Sequence, residues 1–396
     1  MKKISLEECI YSALSNPVLD REVVINACDS LSKRIEEGKY DSLIEMSGIS
    51  HFINEADIEE VVRMLSREYL CQKVEMELGL DSDKVLPLGV LFHIGAGNME
   101  GLTAFSVVEG LLAGNINLVK LSSKESGISA LLLKELLTIE PRLKDYVYLY
   151  SFPSSEKEKI IELVNLSDAV VVWGGDSTIR SVRSLVPANC RLIEWGHKIS
   201  FAYVVPGQFK EKDCYMLAEH LIKTKQLLCS SAQGIYVDTD QEEEVHKLCQ
   251  RFIKILDEAG EKHGDRDPIG IAQNTLKAYT YRLEHRSEPY TEYQGAGTRI
   301  FYKPDRELES SMSYGNIWVK ALPRTDIIKT LKKHHGHLQT VGLLCSEEEM
   351  DMLSALFFKA GATRVRRNGD MSTLSVVEAH DGEYPLRRYS KICCKA

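Results

Sequence analysis

The stretch Leu91-Phe92-His93-Ile94-Gly95-Ala96-Gly97-Asn98-Met99-Glu100-Gly101 decides how the chain folds. An apolar run stops at a glycine pair and a helical pattern follows, as where a buried strand turns into a helix. The glycines are spaced GxGxxxG. A dinucleotide loop is usually spelled GxGxxG, with an acidic residue roughly 20 positions on. The third glycine is therefore out of place. Asn98 sits between strand end and helix start. Its amide can project into a crevice there, or simply cap the helix.

Outward from this stretch, the apolar pattern predicts strands over 89–94, 116–121, 146–152, 169–173 and 191–195. Helices alternate with them over 99–113, 126–138 and 156–166, and a short one starts at Ser177. Such alternation implies a doubly wound parallel sheet with helices on both faces. Ligands bind at the carboxyl ends of such strands. A second alternating region begins near 200, with strands over 200–205, 234–238, 299–303, 316–320 and 339–345. Its helices are expected over 212–227, 241–258, 325–333 and 347–360. Residues 261–298 are polar and glycine-bearing, and read as loop-rich or partly helical. The expected fold class is α/β. Its expected parts are a helical segment over 1–80, a cofactor-binding domain over 81–205, a catalytic domain over 206–365 and a C-terminal segment over 366–396.

Composition narrows the function classes. A chain of 396 residues with 44% hydrophobic content fills two or three cores. Its formal charge of -9, from 49 basic and 58 acidic residues, argues against a nucleic-acid partner. The ten cysteines form no CxxC pair, so neither a disulfide framework nor a structural zinc site is expected. Glu7, Glu8, Asp20, Arg21 and Glu22 interrupt any leader-like apolar run. No segment approaches membrane-spanning length. The expectation is a soluble, cytoplasmic protein.

Further stretches carry a resemblance. Ala113-Gly114-Asn115-Ile116-Asn117-Leu118-Val119-Lys120-Leu121-Ser122-Ser123 resembles the aldehyde dehydrogenase superfamily pattern AGN-x-x-x-x-K-x-S. Val172-Trp173-Gly174-Gly175-Asp176 falls at that family's second glycine turn, and Glu194-Trp195-Gly196-His197-Lys198 resembles its ELGGK motif. Cys229 follows Glu194 by 35 positions, near the family's separation of general base and nucleophile. The spellings FHIGAGN, LLAGNINLVKLSS, VVWGGD, EWGHKISFA, CSSAQ and HLQTVGLL are similar to the LuxC-type acyl-CoA reductases. Those are the reductase component of the bacterial luminescence fatty-acid reductase complex and its non-luminous relatives. The resemblance spans roughly residues 85–370.

The resemblance implies an aldehyde dehydrogenase-like fold and assigns roles. Cys229 is the acyl-accepting nucleophile, its thiolate favoured by Lys223, Lys225 or His197. Most buried cysteines, by contrast, are inert small hydrophobes. Asn98 supplies a side-chain donor to the oxyanion, beside the backbone N–H of the cysteine. Glu194 handles the thiol proton or orients His197, or merely pairs with Lys198 or Arg191. His197 has a pKa suited to proton transfer, and equally suits a plain hydrogen-bonded position. Lys120 and Ser122 fall at the adenosine ribose of the cofactor. Ser123 stands where NAD-preferring members often carry glutamate, and Lys120 and Lys124 add positive charge, so the expected cofactor is NADPH. Gly95, Gly174 and Gly175 leave room for cofactor and reacting carbonyl, or are bare strand-to-helix turns. His334, His335 and His337 lack accompanying ligands, so no metal is expected. They are expected to line the acyl or nicotinamide site. Arg364, Arg366 and Arg367 read as a solvated edge, or attract CoA phosphates.

The implied activity is NADPH-dependent reduction of a long-chain acyl-CoA to its aldehyde through a thioacyl-cysteine. Competing readings are a hydrolytic aldehyde dehydrogenase, an acyl-phosphate reductase and a non-catalytic scaffold of a reductase complex. An acyl-protein synthetase partner and a homo-oligomer, dimer or tetramer, also follow from the resemblance.

Overall fold

Five short apolar runs, each closed by turn residues, build the first sheet. The computed structural model describes residues 5–46, 55–79, 84–95, 101–123, 125–208, 210–264, 268–367, 371, 375 and 378–394. It divides the chain into two units, Met1–Gly196 with Ser375–Ala396, and His197–Leu374. The strands of the first unit are β1 (Val85–Pro87), β2 (Val90–Ile94), β3 (Ile116–Lys120), β4 (Val147–Tyr150), β5 (Ala169–Trp173) and β6 (Arg191–Trp195). Those of the second are β7 (Ile199–Val204), β8 (Ala232–Val237), β9 (Thr291–Gln294), β10 (Arg299–Tyr302), β11 (Asn316–Ala321), β12 (Leu338–Leu344) and β13 (Arg364–Arg367). β14 (Ser390–Ile392) follows near the C-terminus and pairs antiparallel with β1.

In the first unit the strand order is β4-β3-β2-β5-β6, all parallel. β2, β3 and β5 are buried along their whole length, as a sheet covered on both faces requires. Phe92, Leu118, Val170 and Val172 face a core with Ile160, Leu163 and Val164 of helix Lys157–Asn165. Helices Arg21–Glu36, Arg67–Leu78, Leu102–Leu112 and Ile128–Ile139 pack together in another core with Val119 and Val147. The order reverses between β2 and β5. Their carboxyl ends, at Gly95 and Gly174, flank the switch point where such sheets bind ligands.

The second unit is a seven-stranded sheet ordered β13-β12-β7-β8-β11-β10-β9, parallel except for β9. Helices Glu211–Lys223 and Glu242–His263 pack with Val204, Ile235, Ile317 and Val319. Phe201, Tyr203, Tyr236 and Trp318 form a separate core with Phe357 of helix Glu347–Ala360. Two strands carry an extra residue. Between Leu338 and Val341 β12 gains one against β7, and between Ala232 and Ile235 β8 gains one against β7.

Several boundaries depart from the sequence expectation. The units divide after Gly196 rather than after 205, because Ile199–Val204 pairs with β8 and β12. The C-terminal residues rejoin the first unit instead of forming a segment of their own, since Leu386 and Tyr389 are buried there. Arg364–Arg367 is the edge strand β13, whereas the helix Pro268–Glu284 agrees with the partly helical reading of residues 261–298.

Candidate active site

The cofactor residues named from sequence gather at the carboxyl ends of β2, β3 and β5. Gly95 N–H donates to the Lys120 carbonyl (3.1 Å), tying two of these ends together. Lys120 is buried, with its ammonium over the Phe152 ring at 5.5 Å and no carboxylate partner among the described residues. Burial lowers its pKa. A cation so placed is stabilised by oxygen acceptors brought to it. A Cβ on Gly95 would stand 2.4 Å from Thr103 Oγ1, so the glycine first serves the packing of helix Leu102–Leu112 against the strand end. That Thr103 hydroxyl is buried and unpartnered among the described residues. Gly174 N–H donates to the Trp195 carbonyl (3.2 Å), and a Cβ there would be 3.1 Å from Thr178. At Gly175 a side chain would meet nothing within 4 Å. A buried cation without a carboxylate and a hydroxyl without a partner, both among the described residues, with open space beside a glycine, fit a polyhydroxylated, anionic dinucleotide.

Ser122 is half-buried and Ser123 exposed, just beyond β3. The next described acid, Glu125, turns inward. Its Oε1 accepts from Gly101 N–H and Ser129 N–H (3.0 Å each) and from the Ser129 hydroxyl, capping two helices. Lys124 lies outside the described residues.

Glu194 ends up with a partner that the sequence did not suggest. Arg183, from helix Asp176–Arg183, grips it through Nε (3.0 Å) and Nη2 (2.7 and 2.6 Å). The pair raises the arginine pKa. Lys198 Nζ donates instead to the Gly336 carbonyl (2.8 Å), and Arg191 to that of Arg388 (3.1 Å). His197 is exposed and its carbonyl accepts from His337 Nδ1 (3.1 Å). No group of three potential metal ligands occurs among the described residues.

Cys229 lies in the second unit, in the turn between helix Glu211–Lys223 and β8. The helix stops where Lys225 and Gln226 adopt left-handed backbone (φ 49° and 59°). The buried Gln226 amide holds that turn. Its Nε2 donates to Ser311 Oγ (2.9 Å) and its Oε1 accepts from Gly315 N–H (3.1 Å). Gln233, in the extra-residue stretch of β8, donates to the Gln226 carbonyl (3.1 Å) and accepts from Ser311 (3.0 Å). Ser200 Oγ donates to the Cys229 carbonyl (2.6 Å), and Gln339 Nε2 donates to the Cys229 sulfur (3.3 Å). Extra strand residues of this kind re-aim side chains beside active sites.

None of the ten cysteines is in a disulfide, and Cys229 and Cys394 are the exposed ones. Burial pushes the thiols of Cys28, Cys214 and Cys249 up to about 12, which leaves them inert. Lys223, one expected activator of Cys229, is paired with Glu219 (2.6 Å) on its own helix. Asn98 lies outside the described residues. Cys229 and His197 belong to the second unit, and Gly95, Lys120, Ser122, Ser123, Gly174, Gly175 and Glu194 to the first. Sequence reasoning missed Arg183, Ser200 and Gln339, although the spellings EWGHKISFA and HLQTVGLL contain the last two.

Comparison with known proteins agrees with this architecture. The family profile described as acyl-CoA reductase (LuxC) matches residues 19–392. The long-chain acyl-protein thioester reductase of Vibrio harveyi is 23% identical over 323 residues, covering 77% of this chain and 64% of that protein. The protein of the same name from Aliivibrio fischeri is 21% identical over 313 residues, covering 77% and 63%. The chain thus matches less than two thirds of the length of these relatives. Among solved structures, an NAD-dependent benzaldehyde dehydrogenase from Corynebacterium glutamicum is similar at a TM-score of 0.68 and 11% identity, over 98% of this chain and 87% of that one. Lactaldehyde dehydrogenase from Escherichia coli gives 0.67 at 14% identity, over 97% and 88%. The chain belongs to the acyl-CoA reductase (LuxC) family and has the aldehyde dehydrogenase fold.

Proposed function

We propose that the chain reduces a long-chain fatty-acyl thioester, of CoA or of an acylated protein, to the aldehyde, with NADPH as reductant. The observation that carries this reading is the Cys229 turn: an exposed thiol, fixed through its carbonyl by Ser200 and through its sulfur by Gln339. The thiolate of Cys229 attacks the acyl carbonyl carbon, the C–S bond to the donor breaks, and the donor thiol leaves with its electron pair. The acyl group is then held on Cys229 as a second thioester. A reduced nicotinamide, when bound, supplies the hydride that converts this acyl group to the aldehyde and frees the thiolate. Lys120, Ser122, Ser123, Gly174 and Gly175 would hold the cofactor. The Cys229 N–H, with the Asn98 amide, stabilises the oxyanion.

A hydrolytic dehydrogenase needs a base to activate water against the thioester. Glu194, gripped by three hydrogen bonds from Arg183, is poorly placed for that task. That supports reduction over hydrolysis. A protein-bound donor thioester fits the name of the Vibrio harveyi and Aliivibrio fischeri reductases, and an acyl-protein synthetase partner and a homo-oligomer belong to the same proposal. Two measurements test it. Intact-protein mass spectrometry after mixing with palmitoyl-CoA, without reductant, should show one acyl adduct, located on Cys229. NADPH oxidation should then follow over a panel of acyl-CoAs and acylated proteins. If no activated acyl donor leaves an adduct, the scaffold reading replaces this one.

A further inference from the structure

Gln339 and Thr340 occupy the stretch of β12 where one residue exceeds the register with β7. Both are buried, and both reach the cysteine turn. The Gln339 amide donates to the Cys229 sulfur at 3.3 Å. Thr340 N–H donates to Ser200 Oγ (3.0 Å), whose own proton goes to the Cys229 carbonyl (2.6 Å). One dipeptide therefore holds the nucleophile twice, at its sulfur and at its backbone.

The neighbouring groups agree with the amide orientation that turns Nε2 to the sulfur. Arg364, opposite Thr340 across the β12–β13 ladder, donates from Nε to Thr340 Oγ1 (2.9 Å). The Thr340 hydroxyl then directs its own proton to Gln339 Oε1, through a long contact of 3.5 Å. With Oε1 accepting there, Nε2 is left to face Cys229. A permanent cation at Arg364 polarises the threonine hydroxyl, which polarises the amide against the sulfur.

We infer that Gln339 is a further catalytic residue, an amide donor to the Cys229 thiolate, with Thr340 and Arg364 as the positioning residues that orient it. Its use in the reaction rests on the thioacyl reading. A thiolate is a far stronger acceptor than a thioester sulfur. The donor therefore favours the thiolate before acylation. It is weakened while the acyl group is held and regained as the aldehyde departs. It thus assists departure from the sulfur, the step at which an acyl-enzyme would otherwise stall.

The test follows the Cys229 peptide by mass spectrometry during iodoacetamide alkylation, across pH, in the full chain. In Gln339→Leu the alkylation midpoint should rise by about one pH unit, giving roughly ten-fold less thiolate at pH below both midpoints. Gln339→Glu should raise it further, because a carboxylate repels the thiolate. Thr340→Val, nearly equal in volume, should raise it less but in the same direction. It serves as the readout if Gln339→Leu fails to fold. Unchanged midpoints in Gln339→Leu, or in Thr340→Val where that is the readout, overturn the inference. Alkylation uses no acyl donor. A shifted midpoint with no acyl adduct on Cys229 would keep Gln339 as thiolate donor and remove the thioacyl reading, so the two failures are distinguishable.

Discussion

At the scale of single residues, Cys229 and Ser123 carry the sharpest expectations. Cys229→Ala deletes one sulfur from an exposed position, so the fold should survive while acylation and aldehyde formation vanish together. Wild-type turnover in that variant would sink the thioacyl mechanism. Ser123→Glu should move preference from NADPH towards NADH. Ser123 is exposed just past the end of β3, and the carboxylate of Glu125 is already engaged by Gly101 and Ser129. A new carboxylate there would repel a 2′-phosphate by on the order of 1–4 kcal/mol and could accept from a 2′-hydroxyl. The kcat/KM ratio for the two cofactors should fall roughly ten-fold or more. A wild type that already prefers NADH would remove Ser123 from the specificity site. Cys229, Lys120 and Glu194 could be named as candidates from sequence because their side-chain types and order are informative in themselves. Gln339 was not. It meets Cys229 from 110 positions away, and a glutamine inside an apolar strand spelling announces nothing. Arg183 escaped notice for a similar reason, since its grip on Glu194 joins a helix to a strand.

At the scale of elements, the strands were readable where burial is continuous, as in Ala169–Trp173, whose observed limits match the apolar run. The two register shifts were not readable, because one extra residue leaves the composition of a strand unchanged. They nevertheless carry Gln233 and Gln339, which hydrogen-bond to the cysteine turn. Gly234 lies in the β8 shift, where an added Cβ would stand 2.1 Å from the Trp318 ring. Gly234→Ala should therefore overpack a buried aromatic and disturb Gln233, with a loss of about 1–3 kcal/mol. The urea midpoint should fall, and the rate of Cys229 alkylation should change with it. An unchanged midpoint would mean that Trp318 has room to move and the shift is not rigid. Helix Pro268–Glu284 shows a different limit of sequence reading. It buries Ala278 and Tyr281 yet leaves Leu276, Tyr279 and Leu283 exposed, so these five apolar residues form no single inward stripe. The end of helix Glu211–Lys223 was placed late because Lys225 and Gln226 are non-glycine residues in left-handed backbone, which propensity disfavours.

At the scale of the whole chain, the C-terminal residues close the first unit. Tyr389 is fully buried, and its hydroxyl bonds Ser106 Oγ (3.1 Å), which also accepts from Trp173 Nε1 (3.2 Å). Tyr389→Phe should cost about 1 kcal/mol through that bond alone, and Tyr389→Ala about 3–5 kcal/mol through the cavity as well. Equal thermal midpoints for the two variants would contradict this division. The same cluster holds His93 in β2, with Nδ1 at 3.0 Å from Ser106 Oγ and Nε2 at 3.0 Å from Asn117 Oδ1. Asn117 Nδ2 donates to the Asn115 and Tyr146 carbonyls, so its Oδ1 must accept and His93 carries its proton on Nε2. Ser106 then donates to Nδ1. A second ring proton would meet that hydroxyl hydrogen, and burial lowers the His93 pKa from 6.5 to about 4. The unfolded chain thus binds more protons than the folded one between about pH 4 and 6.5. The resulting stability is fully present above pH 6.5 and falls as pH drops towards 4, by on the order of 3 kcal/mol from this residue. His93→Gln, whose amide keeps a donor for Asn117 and an acceptor for Ser106 but does not titrate, should be less stable than wild type at pH 7.5. Its stability should decline less steeply between pH 6.5 and 4.5. Urea midpoints across that range decide it, and parallel slopes for the two proteins would show that His93 is not the proton that acid adds on unfolding.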